Sequence, residues 1–284
     1  MLKPLLATDL PPEALRVHAL ATTFETACGH GHMGWHAWGE GEPLVLLHGG
    51  SGSWAHWIRN VEALAAAGRR VLVPDLPGFG DSHPPPDGED ADASVAPLLH
   101  GLQRLAGPAP WDIVGFSYGG LLAGLLAARH PALVRRLVLV GAPGLGLRTQ
   151  RLPLTEWRSA PDVQARDAAH RSNLAALMLH RPEAIDVLAV AIQAANVPRD
   201  RLRRRKLALT DVLARALPGL DCPVDAIYGQ EDALYQGKLE QLSDLLRSCP
   251  RFGQLVLLPD AGHWVQYEAA LAFNGALLRL LAAH

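Results

Sequence analysis

Three residues far apart in the chain have types that could together perform nucleophilic chemistry. Ser117 stands between Gly115 and Gly119 in "WDIVGFSYGGLLAGLLAARHP"; Asp232 follows in "GQEDALY", and His263 in "PDAGHWVQYE". A serine hydroxyl attacks poorly until a base takes its proton, and a histidine base needs an acid to hold its tautomer. Serine, acid and histidine in this chain order supply all three roles. Glu231 is the second choice for the acid. Asp225 falls inside an apolar run, where alternation turns it elsewhere, and Asp260 is close enough to His263 to brace its loop. The plain alternative for Ser117 is a structural serine at a helix start. The chain has 13 histidines, so no single one is informative by type alone. His263 is singled out because it follows a late apolar run.

These residues need elements that deliver them to one place. "LVLLHGG" (44–50), "RVLVPDLPG" (70–78), "WDIVG" (111–115), "VRRLVLVGAPG" (134–144), "CPVDAIYG" (222–229) and "QLVLLPDAGH" (254–263) are short apolar runs closed by turn residues, and read as buried strands. Between them, 53–68, 91–106 and 118–130 have helical spacing, with Pro97 near a start or a kink, and the chain closes on a helix from about 265. Alternating strands and helices imply an α/β fold with a mostly parallel, twisted sheet covered on both faces. "TTFETA" and "MGWHAWGEG" alternate, predicting an antiparallel hairpin at the sheet edge. Residues 147–217 contain no strand-like run but hold helical stretches, so 1–145 and 218–284 form the core and 146–217 an inserted helical cap. Ser117 then lies at a strand-to-helix turn, Asp232 and His263 at the ends of later strands. The oxyanion donors are expected from the Tyr118 N–H, beside Ser117, and the Gly50 N–H in "HGGSGSW", with Ser51 a neighbouring choice and His48 structural.

Bulk properties narrow the function. With 26 basic and 28 acidic residues among 284, a general nucleic-acid or membrane-surface binder is disfavoured. Cys28, Cys222 and Cys249 form no paired motif, and with no signal-peptide pattern a cytoplasmic location is expected. "GAPGLG" (141–146) follows a strand, but Pro143 and the lead into the cap argue against dinucleotide binding, so no cofactor is expected. His30, His32 and His36 alternate in "HGHMGWHAW" without a carboxylate or cysteine pattern, and no metal is expected. The run from Arg199 to Lys206 reads as a solvated helix face, with one side chain free to turn inward onto a carboxylate. Trp54, Trp57 and Trp157 read as core. The partner is a small-molecule substrate, and a homo-oligomer stays open.

"LLHGGSGSWAHW", "VPDLPGFGDS", "GFSYGG", "GQEDALY" and "GHWVQYE" together resemble the α/β-hydrolase superfamily, over about residues 20–145 and 218–284. Within it the chain is similar to the meta-cleavage product hydrolase and carboxylesterase branch. The resemblance implies a serine hydrolase with Ser117, Asp232 and His263 as its triad, and substrate contacts from Phe116, Trp264, Arg205 and Lys206. Two features depart from the carbon–carbon hydrolases: Phe116 stands where they have asparagine, and Arg205 and Lys206 only loosely match their cap arginine. A small carboxylic ester is therefore the expected substrate. The alternatives are carbon–carbon cleavage of a vinylogous keto-acid, or ligand binding without catalysis.

Overall fold

The computed structural model describes residues 10–147, 152–202 and 204–282. Eight strands form one sheet: β1 (Thr22–Cys28), β2 (Gly31–Trp38), β3 (Glu42–Leu47), β4 (Arg69–Pro74), β5 (Trp111–Phe116), β6 (Val134–Val140), β7 (Val224–Gly229) and β8 (Phe252–Leu258). Their order is β1-β2-β4-β3-β5-β6-β7-β8. β1 and β2 form the predicted antiparallel edge hairpin, β2 runs antiparallel to β4, and the pairs from β3 and β4 onward are parallel. Every residue of β5 and β7 is buried, as expected of central strands covered on both faces. Two apolar clusters fill those faces. One packs Trp35, Phe79 and Leu98 against the helix that follows β5; the other packs Trp38, Trp54, Trp57 and Phe273 on the opposite side.

The helices are α1 (Pro12–Ala19), α2 (Val61–Ala66), α3 (Ala91–Leu105), α4 (Tyr118–Arg129), α5 (Val163–Asn173), α6 (Val187–Asn196), α7 (Val212–Ala216), α8 (Leu239–Leu246), α9 (Val265–Glu268) and α10 (Ala270–Ala282). Residues 53–68, expected as one helix, instead form a short 3-10 turn at Trp54–Trp57 and then α2. The break is at buried Asn60, whose side-chain amide donates to the Gln266 carbonyl and to Asn274 Oδ1 at 2.9 and 2.8 Å. Tertiary polar contacts override the local apolar spacing there. Pro97 lies inside α3, where it is buried.

Between β6 and β7 the described residues hold no strand: α5, α6 and α7 are separated by short helical turns and irregular stretches. The basic run within it departs from the expected solvated helix face. Residues 200–202 and 204–206 have no helical structure, and the backbone at Arg201 lies against the loop after β4. The Arg201 N–H donates to the Gly78 carbonyl, its guanidinium donates to the Phe79, Gly80 and Ser82 carbonyls, and Arg199 pairs with Asp81. Arg199 and Arg201 are thus bonded to the loop after β4, whereas Arg204 and Lys206 are exposed.

The histidine cluster is also divided: His32 packs on His83 and His36 on His18, with ring centroids 4.7 and 5.2 Å apart. Among the described residues no group of three metal-ligating side chains comes together. No helix among them is long and apolar enough to cross a membrane.

Candidate active site

Ser117 links the end of β5 to the start of α4, and two glycines make that link tight. Its backbone has φ 48° and ψ −118°, a strained region for a residue with a side chain. The turn is pinned on both sides: Ser117 N–H donates to the Val140 carbonyl of β6 at 2.7 Å, and the Ser117 carbonyl accepts from Gly120 and Leu121. A serine at this position of a helix normally caps it with its hydroxyl. Ser117 makes no such cap, so the simplest structural role for the side chain is unfilled. Instead Ser117 lines a cavity of about 310 Å³ together with His263.

His263 sits in the loop after β8, ahead of α9. Its Nδ1 lies 2.8 Å from Oδ2 of Asp232, and both side chains are almost wholly buried. A carboxylate only accepts, so Nδ1 carries the hydrogen and Nε2 is left as the acceptor. Asp232 Oδ1 accepts from the Leu234 N–H at 2.9 Å, which fixes the acid in turn. The competing carboxylates are elsewhere: Asp225 accepts from the Gln254 N–H at the β8 edge, Asp260 is exposed, and Glu231 is half-buried, its backbone N–H donating to the Ala261 carbonyl.

Two further hydrogen bonds position the His263 loop. On one side of the histidine, the Gly262 N–H donates to Glu268 at 2.7 Å; on the other, the Trp264 N–H donates to the Met178 carbonyl at 2.7 Å. Glu268 also accepts from the His180 and Arg181 N–H groups at 3.0 and 2.6 Å. One buried carboxylate thus joins the α5–α6 segment to the His263 loop.

The loop after β3 forms the facing wall. Gly49, Gly50 and Ser51 line the cavity, as does Tyr118, whose N–H opens α4 and has no intrahelical acceptor. The Leu76 N–H donates to His48 Nε2 at 2.8 Å, so His48 Nδ1 carries the hydrogen that meets the Gly49 carbonyl at 2.7 Å. Burial drives the His48 pKa down to about 4, so the ring is neutral as this bonding requires. Sequence reading passed over His56. It is fully buried, its Nδ1 accepts from the Gly49 N–H at 3.3 Å, and its ring packs 5.6 Å from Phe116 and 4.9 Å from Trp264. Burial, helped by neighbouring His48 and His263, holds it well below the ordinary histidine pKa. Gly49 therefore has its N–H occupied by His56, although Gly49 and Gly50 both line the cavity.

The four expected substrate contacts divide. Phe116 lines the cavity and packs on His263, with ring centroids 5.0 Å apart. Arg205 also lines it, close enough that a Cβ added to Gly50 would fall 2.7 Å from its Nη1. Trp264 does not. It is buried behind the loop, donating from Nε1 to the His56 carbonyl and stacking on Tyr267. Lys206 does not either: it is exposed, and its backbone N–H is held by Asp90. The remaining wall comes from leucines and a methionine of the segment between β6 and β7, among them Leu152, Leu154, Leu177 and Met178. No single motif marked these, because they converge from separate turns.

A sequence profile for the alpha/beta hydrolase fold matches residues 42–270. Among known proteins, the chain is 33% identical over 270 residues to a 2-hydroxymuconate semialdehyde hydrolase of Pseudomonas sp. strain CF600, covering 87% of this chain and 89% of that one. It is 29% identical to a 2-hydroxy-6-oxo-6-phenylhexa-2,4-dienoate hydrolase of Burkholderia cepacia, over 86% of this chain and 89% of the other. Among solved structures, the esterase RhEst1 of Rhodococcus sp. ECU1013 superposes with a TM-score of 0.72 at 24% identity, covering 92% of this chain and 98% of that one, a likeness of fold.

Proposed function

Since this chain belongs to the α/β-hydrolase family, in the branch of the meta-cleavage product hydrolases, we propose that it is a cofactor-independent serine hydrolase acting on small carboxylic esters through an acyl-enzyme. The observation that carries this reading is Ser117 itself: strained, uncapped, and in one cavity with a histidine whose other nitrogen is held by a buried aspartate. Ser117 Oγ attacks the acyl carbon while His263 Nε2 takes its proton. Asp232 holds the Nδ1–H tautomer and stabilises the imidazolium. Negative charge gathering on the carbonyl oxygen meets the N–H groups of Tyr118 and Gly50, backed by the N-terminus of α4. His263 returns the proton to the departing alcohol. Water, deprotonated by the same nitrogen, then cleaves the acyl-enzyme and frees the acid.

Residues 146–217 serve as the cap, and their leucines select the substrate's apolar part. Phe116 supports the ester reading, because it gives His263 an apolar neighbour with no hydrogen bond to offer a dienol or keto group. Arg205 contacts the substrate beside Gly50. The second reading, carbon–carbon hydrolysis of a ring-fission product, is favoured by the names of the relatives in sequence. Short p-nitrophenyl esters assayed beside a coloured dienoate separate the two, and a strong preference for the dienoate overturns the first. Labelling of Ser117 by a fluorophosphonate, abolished in Ser117→Ala, tests the nucleophile. Full ester hydrolysis by that variant would refute it.

A further inference from the structure

An arginine in the wall of a substrate-sized cavity is ordinarily read as a receptor for a carboxylate. Arg205 is differently placed. Its Nη2 donates to Asp200 Oδ2 at 2.6 Å, with the two side chains 24% and 12% exposed. Asp200 has no freedom to swing away: the same Oδ2 accepts from Ser51 Oγ at 2.5 Å, and its Oδ1 accepts from the Leu202 N–H at 3.1 Å. Arg205 is fixed from its other side by aromatic faces, its guanidinium carbon lying 5.1 Å from the Phe79 ring centre and 5.8 Å from that of Tyr118. The pair is therefore a built fixture. Its acid is tied to the oxyanion loop, where Ser51 itself has φ 51°.

The consequence is electrostatic. A substrate carboxylate reaching Arg205 Nη1 beside Gly50 would also come within a few ångströms of the Asp200 carboxylate. The attraction and the repulsion are of similar size, while the anion still loses its hydration on entering. We infer that Asp200 is a specificity-determining residue, which neutralises Arg205 and so makes the cavity select uncharged substrates over carboxylate-bearing ones of the same shape. This rests on the ester reading and names its substrate class more closely.

The test compares two esters of matched shape, p-nitrophenyl hemisuccinate and p-nitrophenyl levulinate, by their kcat/KM ratio. The wild-type protein prefers the levulinate. Asp200→Asn keeps an oxygen that can accept from Ser51 and releases the Arg205 charge, so the ratio moves toward the hemisuccinate by about tenfold or more, the scale of one unit charge in a partly solvated cavity. Arg205→Gln leaves the acid unopposed and moves the ratio the other way. A wild-type preference for the hemisuccinate, or a ratio unchanged within experimental scatter in both variants, overturns the inference. Calorimetric binding of N-phenylsuccinamic acid and its methyl ester to Ser117→Ala reads the same selectivity without turnover: tighter binding of the ester supports the inference, and equal or tighter binding of the acid overturns it. A protein that binds with this selectivity but hydrolyses no ester refutes the ester reading alone.

Discussion

A Cβ placed on Gly115 would stand 2.5 Å from the carbonyl oxygen of Gly119, and the same distance from Gly120 Cα. Gly115 is thus required by the backbone of the turn that follows Ser117. Gly119 is hemmed in further, since its own Cβ would lie 2.5 Å from the Leu47 carbonyl oxygen and 2.6 Å from that of His48. All of these neighbours are backbone, which cannot rotate aside as a side chain can. Gly115→Ala and Gly119→Ala are each expected to destabilise the fold by about 2 kcal/mol or more, measured by urea denaturation. Either substitution matching wild-type stability would contradict this packing.

Removing the Ser117 side chain separates chemistry from strain. Ser117→Ala is expected to lose ester hydrolysis by at least about a thousandfold, because base and acid alone leave no nucleophile. Ser117→Gly loses activity equally yet relieves the positive φ, which costs roughly 1–3 kcal/mol in a residue with a side chain. That gain outweighs or matches the added freedom of glycine in the unfolded chain. The expected urea midpoint is at or above that of wild type. A large drop would mean that the elbow is not strained.

Asp232→Asn tests the orientation of His263. An amide in place of Oδ2 can present its NH2 group to Nδ1, which then becomes the acceptor and leaves the hydrogen on Nε2, the wrong nitrogen for a base. The expected fall in kcat is about ten-thousandfold, with KM little changed. Glu231→Gln, altering the adjacent acid, is expected to leave kcat near wild type. Steady-state kinetics on one p-nitrophenyl ester decides both, and the reverse pattern would reassign the acid.

Stability should fall in mild acid for a reason that can be traced to buried histidines. Burial lowers the pKa of His36 to about 3 and of His48 to about 4, and holds His56 well below its ordinary value. In the unfolded chain these rings titrate near 6.5, so between that pH and the folded values the unfolded state binds more protons. Stability is therefore complete above about pH 6.5 and declines as pH falls toward 4. His36 and His48 each withdraw about 2 kcal/mol by pH 5, and His56 acts in the same direction. Urea midpoints between about pH 7 and 5 measure the slope, and replacing His36 with a neutral apolar residue should flatten it. A flat profile in the wild-type protein would mean that these rings are not held neutral.

The strands were legible because buried parallel strands are short, apolar and ended by glycine or proline. Each expected run contains or overlaps one, from β3 to β8. The positions of Ser117, Asp232 and His263 were legible for the same reason, as each follows such a run. What stayed hidden depends on contacts remote in sequence. Asp200 meets Ser51 across 149 positions, and Glu268 meets the backbone of His180 across 88. His56 seemed one more residue of a helical stretch until the fold turned it under Gly49. The arginine run misled because its composition matches a solvated face, whereas its partners are carbonyls of a loop more than a hundred residues earlier. Neither α1 nor α8 was among the expected elements.

The ties flanking His263 constrain how a ligand gets in. Because Trp264 is bonded to Met178, and Gly262 shares the Glu268 carboxylate with His180 and Arg181, an outward swing of the stretch 178–181 must either break these bonds or pull on the loop that holds His263. An entrance on that side would disturb the site each time it opened. The opposite lip, built by Leu152, Leu154 and the residues around Ala208 and Leu209, has no such bond to the histidine loop among the described residues. On the proposed mechanism, a ligand entering past that lip would leave the His263–Asp232 bond in place, so admission and reaction need not alternate.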